Sequence, residues 1–393
     1  MPDNTRRARD EEFWQTFGNR YDAQSAPINL ENGYFGRMSR TVIEEYQRNI
    51  ELINNSNSVY VRQRFEQHDN LDIRAQLAEL IGVRAQSVAF TRNATEGLQS
   101  LIRNYNRLQP GDQVLICDLE YDTVKGAMRW LGKHRSVEVI EIAHAHPASF
   151  DSLLETYRET FIRHPKLKLM ALTHVTHRTG LVMPVQAIAA LAKEHGVDII
   201  LDGAHALGQL EFNLEAMGIA FAGYNLHKWI GAPLTLGFLY IAPQRLADID
   251  PDMGEIHYPG NDIRARTSYS TPNIPALMTL PLVFEEHRSL GGAAAKGARL
   301  NYLRNLWVSA VRHLPGIEVM TPDDPRLYCG ITAMRFTRHD DQQLMAERLL
   351  NEYKLFTVVR TGAACGSCIR ITPGVTTTAT DMQLLTRALN ELR

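Results

Sequence analysis

Short apolar runs alternate with amphipathic stretches through most of the first two thirds of the chain. That alternation is the pattern of strand–helix–strand units around a parallel sheet. "SVAFTRNATEGLQSLIRNY" reads as a strand, a turn and a helix with apolar residues at helical spacing. "DQVLICDLEYDTVKGAMRWLGKH" repeats the order, and "SVEVIEIAH" supplies another strand. "KLKLMALTHVTHRTGLVMP" is a buried strand ending in a polar loop. "AIAALAKEHGVDIILDGAHALGQL" is a helix, a turn at Gly196 and the strand "VDIILD". "FAGYNLHKW" and "LTLGFLYIA" read as the next two strands, the second antiparallel to the first. Together they predict one large, mostly parallel sheet between about residues 60 and 255, with ligands bound at the polar loops that follow its strands.

After about residue 275 the pattern changes. "IPALMTLPLVFEEHRSLGGAAAKGARLNYLRNLWVSAVRHL" predicts long helices broken at Gly-Gly. The remainder alternates strands ("ITAMRFT", "FTVVRTG", "CIRITPG") with helices ("DDQQLMAERLLNEY", "TATDMQLLTRALNELR"). The division expected is an N-terminal arm and helix (1–30) packed on a small domain, a large α/β domain (31–275), and a small C-terminal α+β domain (276–393).

Composition narrows the class. The 393 residues exceed one ordinary core, and the 44% hydrophobic and 22% charged shares are those of a globular enzyme. A formal net charge of −2 argues against a nucleic-acid partner. No apolar run reaches the length of a membrane span, and the arginine-rich start lacks the apolar core of a secretory signal, so a cytoplasmic location is expected. Four cysteines (Cys117, Cys329, Cys365, Cys368) make no disulfide framework. "CGSC" lacks the second pair a zinc site needs, so no metal is expected.

Three features carry chemistry. "TRNATEG" (91–97) lies between a strand and a helix, where free N–H groups suit an anion; read alone, it is also an ordinary N-cap with a capping-box glutamate. Asp202 ends an apolar strand, where a carboxylate is costly without a partner. A cationic ring nitrogen would satisfy it, and His205 follows three residues on. Lys228 in "NLHKWIGAP" follows the next strand, in a setting that lowers an amine's pKa and makes it a nucleophile toward aldehydes. A phosphate cradle, a carboxylate for a pyridinium and an imine-forming lysine are together what pyridoxal 5′-phosphate (PLP) needs.

On these motifs, with "INLENGYFG", "LTHVTHRTGLVMPV", "STPN" and "IRITPG", the chain resembles the fold-type I, class V aminotransferase group. That group holds isopenicillin N epimerase, cysteine desulfurases and cysteine/cystine C–S lyases. The resemblance implies PLP as cofactor, an amino-acid substrate and a homodimer. Lys228 would be the Schiff-base lysine and Asp202 the partner of the ring nitrogen. His205 and His177 would lie near the cofactor's phenolic oxygen. Ala94 and Thr95 would hold the phosphate, with Asn225 and His227, and Thr271 would reach the phosphate of the partner subunit. Arg370 would grip the substrate carboxylate, assisted by Arg360, and Asn32 would also face the substrate.

Where desulfurases of the group stack a histidine on the cofactor ring, "DLEYDTV" offers Tyr121, and a phenol is a poorer base than an imidazole at neutral pH. "DGAH" and "HKW" likewise resemble the epimerases and C–S lyases more than the desulfurases. "RTGAAC" resembles the stretch carrying the persulfide cysteine in one desulfurase group, but here the loop from Cys365 to Arg370 is short, which favours a bystander thiol. The expected activity is isopenicillin N epimerase-like chemistry at an α-carbon, in secondary metabolism. A C–S β-lyase or desulfurase is the alternative, and a non-catalytic PLP-fold binding protein a further one.

Overall fold

The computed structural model describes residues 4–22, 26–267 and 271–393; parts of the arm (1–3 and 23–25) and Ser270 of "STPN" lie outside the described residues. A seven-stranded sheet forms the centre, in the spatial order Val88–Thr91, Gly237–Ile241, Phe221–Asn225, Asp198–Asp202, Leu167–Thr173, Gln113–Cys117 and Glu138–Ile142. Gly237–Ile241 runs antiparallel to both neighbours, and every other pairing is parallel. The predicted antiparallel strand is therefore present. The inner strands read as near-continuous apolar runs because helices cover both faces of the sheet. One face packs Leu115, Met170, Leu201 and Tyr224. The other packs Val114, Ile116, Ile200 and Leu239 beneath the helices Ala94–Asn104 and Asp122–Arg135.

The helices around Gly-Gly are Ile274–Ser289 and Gly292–Val311, with Gly291 at φ +100° and Gly292 at +67°, which explains the break. Ile274–Ser289 packs against the helices Arg40–Tyr60 and Asn70–Leu80. Gly292–Val311 instead joins the C-terminal helix Ala379–Leu392 over an antiparallel sheet ordered Val358–Arg360, Cys368–Ile371, Thr332–Phe336, Ile317–Val319. The core there is built from Leu303, Trp307, Met334, Ile369 and Leu389.

The N-terminal arm is tied to this second unit. Ile28–Asn29 pairs in parallel with Leu355–Phe356, and a bridge at Glu31 and Thr372 extends the contact. Trp14 is buried with Leu290, and Arg299 forms an ion pair with Glu11. The chain between residues 30 and 36 thus runs from the strand Leu355–Phe356 to the loop after Asn225 of the large sheet. There Gly36 N–H donates to the His227 carbonyl at 2.8 Å, and a Cβ at Gly36 would fall 1.9 Å from the Lys228 carbonyl oxygen, so only glycine fits.

Candidate active site

The strand ends Asp202 and Asn225, the start of helix Ala94–Asn104 and the loop after Asn225 converge on one region. The loop is fixed by packing. Gly208 at φ +95° lies against it, and a Cβ there would sit 2.8 Å from the Trp229 carbonyl carbon. "DGAHALGQ" and "HKWIGAP" are therefore locked to one another.

Lys228 Nζ lies 3.0 Å from His205 Nε2. Burial is the main cause that pushes its amine down from 10.5 to about 7. Asp202 opposes that fall, while Arg370 and Arg360 add to it. By surface the residue is intermediate rather than buried, and it borders a cavity of about 60 Å³ with Asn32 and Lys296. Its amine meets His205, and burial with the charges of Asp202 and the arginines governs the titration. His205 is 5% exposed and lies well below its usual pKa, first through burial and then through Lys228, so it is neutral.

Asp202 is buried, and burial raises its carboxyl above the ordinary range. Among the described residues it accepts one side-chain hydrogen bond, from Ala204 N–H at 2.9 Å. A buried carboxylate with one donor is under-satisfied and suited to a further cationic N–H. The Nδ1 atoms of His205 and His177 are also buried without partners. His177 is pushed down to about 2 by burial and then by the surrounding arginines and Lys228. Its ring meets Tyr121 edge-on at 5.0 Å. Tyr121 is 42% exposed, so a ring face is open to a ligand.

The anion cradle departs in detail from its expectation. Asn93 caps the helix by accepting from Glu96 N–H at 2.9 Å, and the Glu96 side chain reaches back to Arg92 N–H at 2.6 Å. Ala94 N–H, expected to face a phosphate, donates to Asn225 Oδ1 at 2.9 Å. That bond seats the helix start on the sheet and spends both groups on each other. Among the described residues the Asn225 Nδ2 donors and the Thr95 N–H and hydroxyl are left for an anion. His227 lies below its usual pKa, at about 4, mainly through burial; its Nδ1 faces the Leu236 backbone, which leaves Nε2 as its outward atom. Thr271 is exposed and borders a cavity of about 320 Å³ with Arg92, Thr235 and Leu236 of its own chain.

The residues expected to face a substrate are already engaged. Asn32 Nδ2 donates to the Asn29 and Thr372 carbonyls, at 2.9 and 3.1 Å. Arg370, 1% exposed, donates Nη1 to the His177 carbonyl at 2.6 Å and pairs through Nε and Nη2 with Glu31. Arg360 Nη2 joins the same carboxylate at 3.0 Å.

Three charged residues were not singled out from sequence. Glu31 is one. Glu120, 1% exposed, is raised to about 7 chiefly by burial; it accepts from Thr173 and Cys117 and so fixes the residue before Tyr121. Arg178 clamps the same loop, donating to the Glu120 and Thr361 carbonyls at 2.9 and 2.6 Å and to Asp122 at 2.7 Å. A charge flanking a recognisable site residue was the only sequence signal for the last two. Cys365 is half-buried, its thiol raised by burial and by Asp118, and it borders a different small cavity with Asp118, His144 and Met320.

This fold and this constellation define a fold-type I PLP enzyme. The model of the aminotransferase class-V family matches residues 37–385, and the chain belongs to that family. It is 27% identical over 338 residues to the isopenicillin N epimerase of Streptomyces clavuligerus, covering 81% of this chain and 83% of that one. A probable cysteine desulfurase of Vibrio cholerae is 26% identical over 259 residues, 63% of each chain. Among solved structures, the cysteine desulfurase CsdA of Escherichia coli superposes with a TM-score of 0.80 at 19% identity, over 96% of this chain and 98% of that one. The cystine C–S lyase C-DES, solved with its product cysteine persulfide, gives 0.80 at 18%, over 93% and 97%. Among the described residues no helix is long and apolar enough to cross a membrane.

Proposed function

We propose that this PLP-dependent enzyme acts at the α-carbon of an amino acid or aminoacyl compound in the manner of an isopenicillin N epimerase. The residues present fit the cofactor. Asp202 is a buried carboxylate with one donor, His205 and His177 carry unpartnered buried nitrogens, and Lys228 has a depressed amine. Lys228 would hold the cofactor's aldehyde carbon, Asp202 its ring nitrogen, and Thr95, Asn225 and His227 its phosphate, with Tyr121 against the ring. PLP, when bound, supplies the electron sink that acidifies the substrate α-carbon.

The observation that carries the reading is the contact of Lys228 Nζ with neutral His205 at 3.0 Å. An amine near pKa 7 can both accept and return a proton at neutral pH. His205 holds that nitrogen in place and offers it no competing charge. Cys365 supports the same choice, since its thiol is raised and it lines a different cavity from the one Lys228 lines. A homodimer is part of this reading: Tyr34, Met253 and Ile256 are exposed apolar side chains.

The test is a screen of amino acids and cysteine conjugates for α-deuterium exchange, keto acid and sulfide, run on wild type and Cys365→Ala. Exchange in both proteins without sulfide is expected. Sulfide release from a cysteine substrate that Cys365→Ala abolishes would replace this reading by a desulfurase.

A further inference from the structure

Arg370 is buried, and its side-on edge is filled by a residue of its own chain. Nε lies 3.3 Å from Glu31 Oε2, and Nη2 pairs with Oε1. Nη1 is spent on the His177 carbonyl, and Arg360 closes on Glu31 from a second side at 3.0 Å. Glu31 is itself only 8% exposed. Backbone on both sides holds it, because Glu31 bridges Thr372 and the Asn32 N–H donates to the Thr372 carbonyl. Gly33 makes room for the guanidinium, since a Cβ there would come within 3.3 Å of Arg370 Nη2. Arg370 holds the carbonyl of His177, whose ring meets Tyr121, and Asn32, next to Glu31, lines one cavity with Lys228, so the triad borders the candidate site.

Resting on the reading of the site as one for α-carbon chemistry, we propose that Glu31 is a specificity-determining residue. It fills the arginine fork and directs the enzyme to amines whose α-carboxylate is masked, as an amide or ester. A free α-carboxylate can take the side-on edge only by displacing Glu31. The exchange is one carboxylate for another, so no ion pair is gained, and Glu31 is stranded in a buried position. Entering beside Glu31 sets two carboxylates against each other. An amide or ester carbonyl leaves the triad intact and accepts one of the guanidinium N–H groups that remain.

The experiment titrates the holoenzyme with alanine, serine and S-methylcysteine and with their primary amides, reading dissociation constants from the shift of the visible band. Wild type should bind each amide at least as tightly as its acid. Glu31→Gln should turn this into an acid preference of about 10- to 100-fold, the range of a hydrogen-bonded charge. An acid preference of tenfold or more in wild type overturns the proposal even if the variant does not fold. So does a band that neither series moves in either protein. If no band forms with PLP, the enzyme reading is what fails, and the fork is then tested by calorimetry of the cofactor-free protein with propionate and propionamide. Propionate bound by wild type more tightly than propionamide would overturn the proposal, and the reverse order supports it.

Discussion

Replacing Lys228 by methionine in the cofactor-free protein isolates the electrostatics of the site. Methionine matches the stem of lysine and carries no charge. The folded amine titrates at about 7 against 10.5. That gap corresponds to about 5 kcal/mol of preference for the neutral form, an upper value because the residue is partly exposed. The sign follows from proton counting. Between pH 7 and 10.5 the unfolded chain holds a proton that the folded chain has released, so this lysine's contribution to stability rises with pH through that window. Below pH 7 both states are protonated and the full penalty stands. Lys228→Met removes the penalty and also the bond to His205, worth about 1 kcal/mol. The variant should therefore be more stable than wild type by about 3–4 kcal/mol at pH 6 and by about 1 at pH 9, and slightly less stable, by about 0.5, at pH 10.5. Urea unfolding followed by tryptophan fluorescence measures the difference; titrating groups far from Lys228 cancel in it, and His205, His177 and Asp202, which feel its charge, add a smaller change of their own. A gain that does not change with pH, or a loss at pH 6, would refute the buried-amine argument. With PLP added, the same variant should show no visible band fixable by borohydride.

Two further outcomes are expected. Asn225→Leu removes both the seat of Ala94 N–H and the amide donors beside it, so PLP should dialyse away from the variant at least tenfold faster than from wild type; unchanged retention would place the phosphate elsewhere. Sedimentation of the holoenzyme should give a homodimer that Met253→Lys with Ile256→Lys weakens, and a fully active monomer would exclude sites shared between subunits.

The parallel sheet was legible because each strand is a short apolar run closed by a polar loop. Gly196, Gly291 and Gly292 sit at positive φ where helices had to stop. Asp202, Lys228 and the start of helix Ala94–Asn104 were legible for a related reason, since each stands where an apolar run gives way to a polar group. What the pattern could not show is which polar groups spend themselves on one another. Ala94 N–H and Asn225 both look free for a phosphate along the chain, and folding brings them into a hydrogen bond.

Glu31 shows the same limit more sharply. In "LENG" nothing nearby in sequence marks it as buried or paired. Its partners stand more than three hundred positions away, and they reach it only when the N-terminal arm pairs with Leu355–Phe356 and Thr372 pairs beside it. A motif therefore tells which chemistry a loop can host, while the charge the loop meets is set by contacts across the fold. Here that difference falls on the arginine fork. Sequence resemblance assigns Arg370 to a substrate carboxylate, and the folded chain supplies a carboxylate of its own. The choice of substrate then turns on whether an incoming ligand gains more from the fork than Glu31 loses on leaving it.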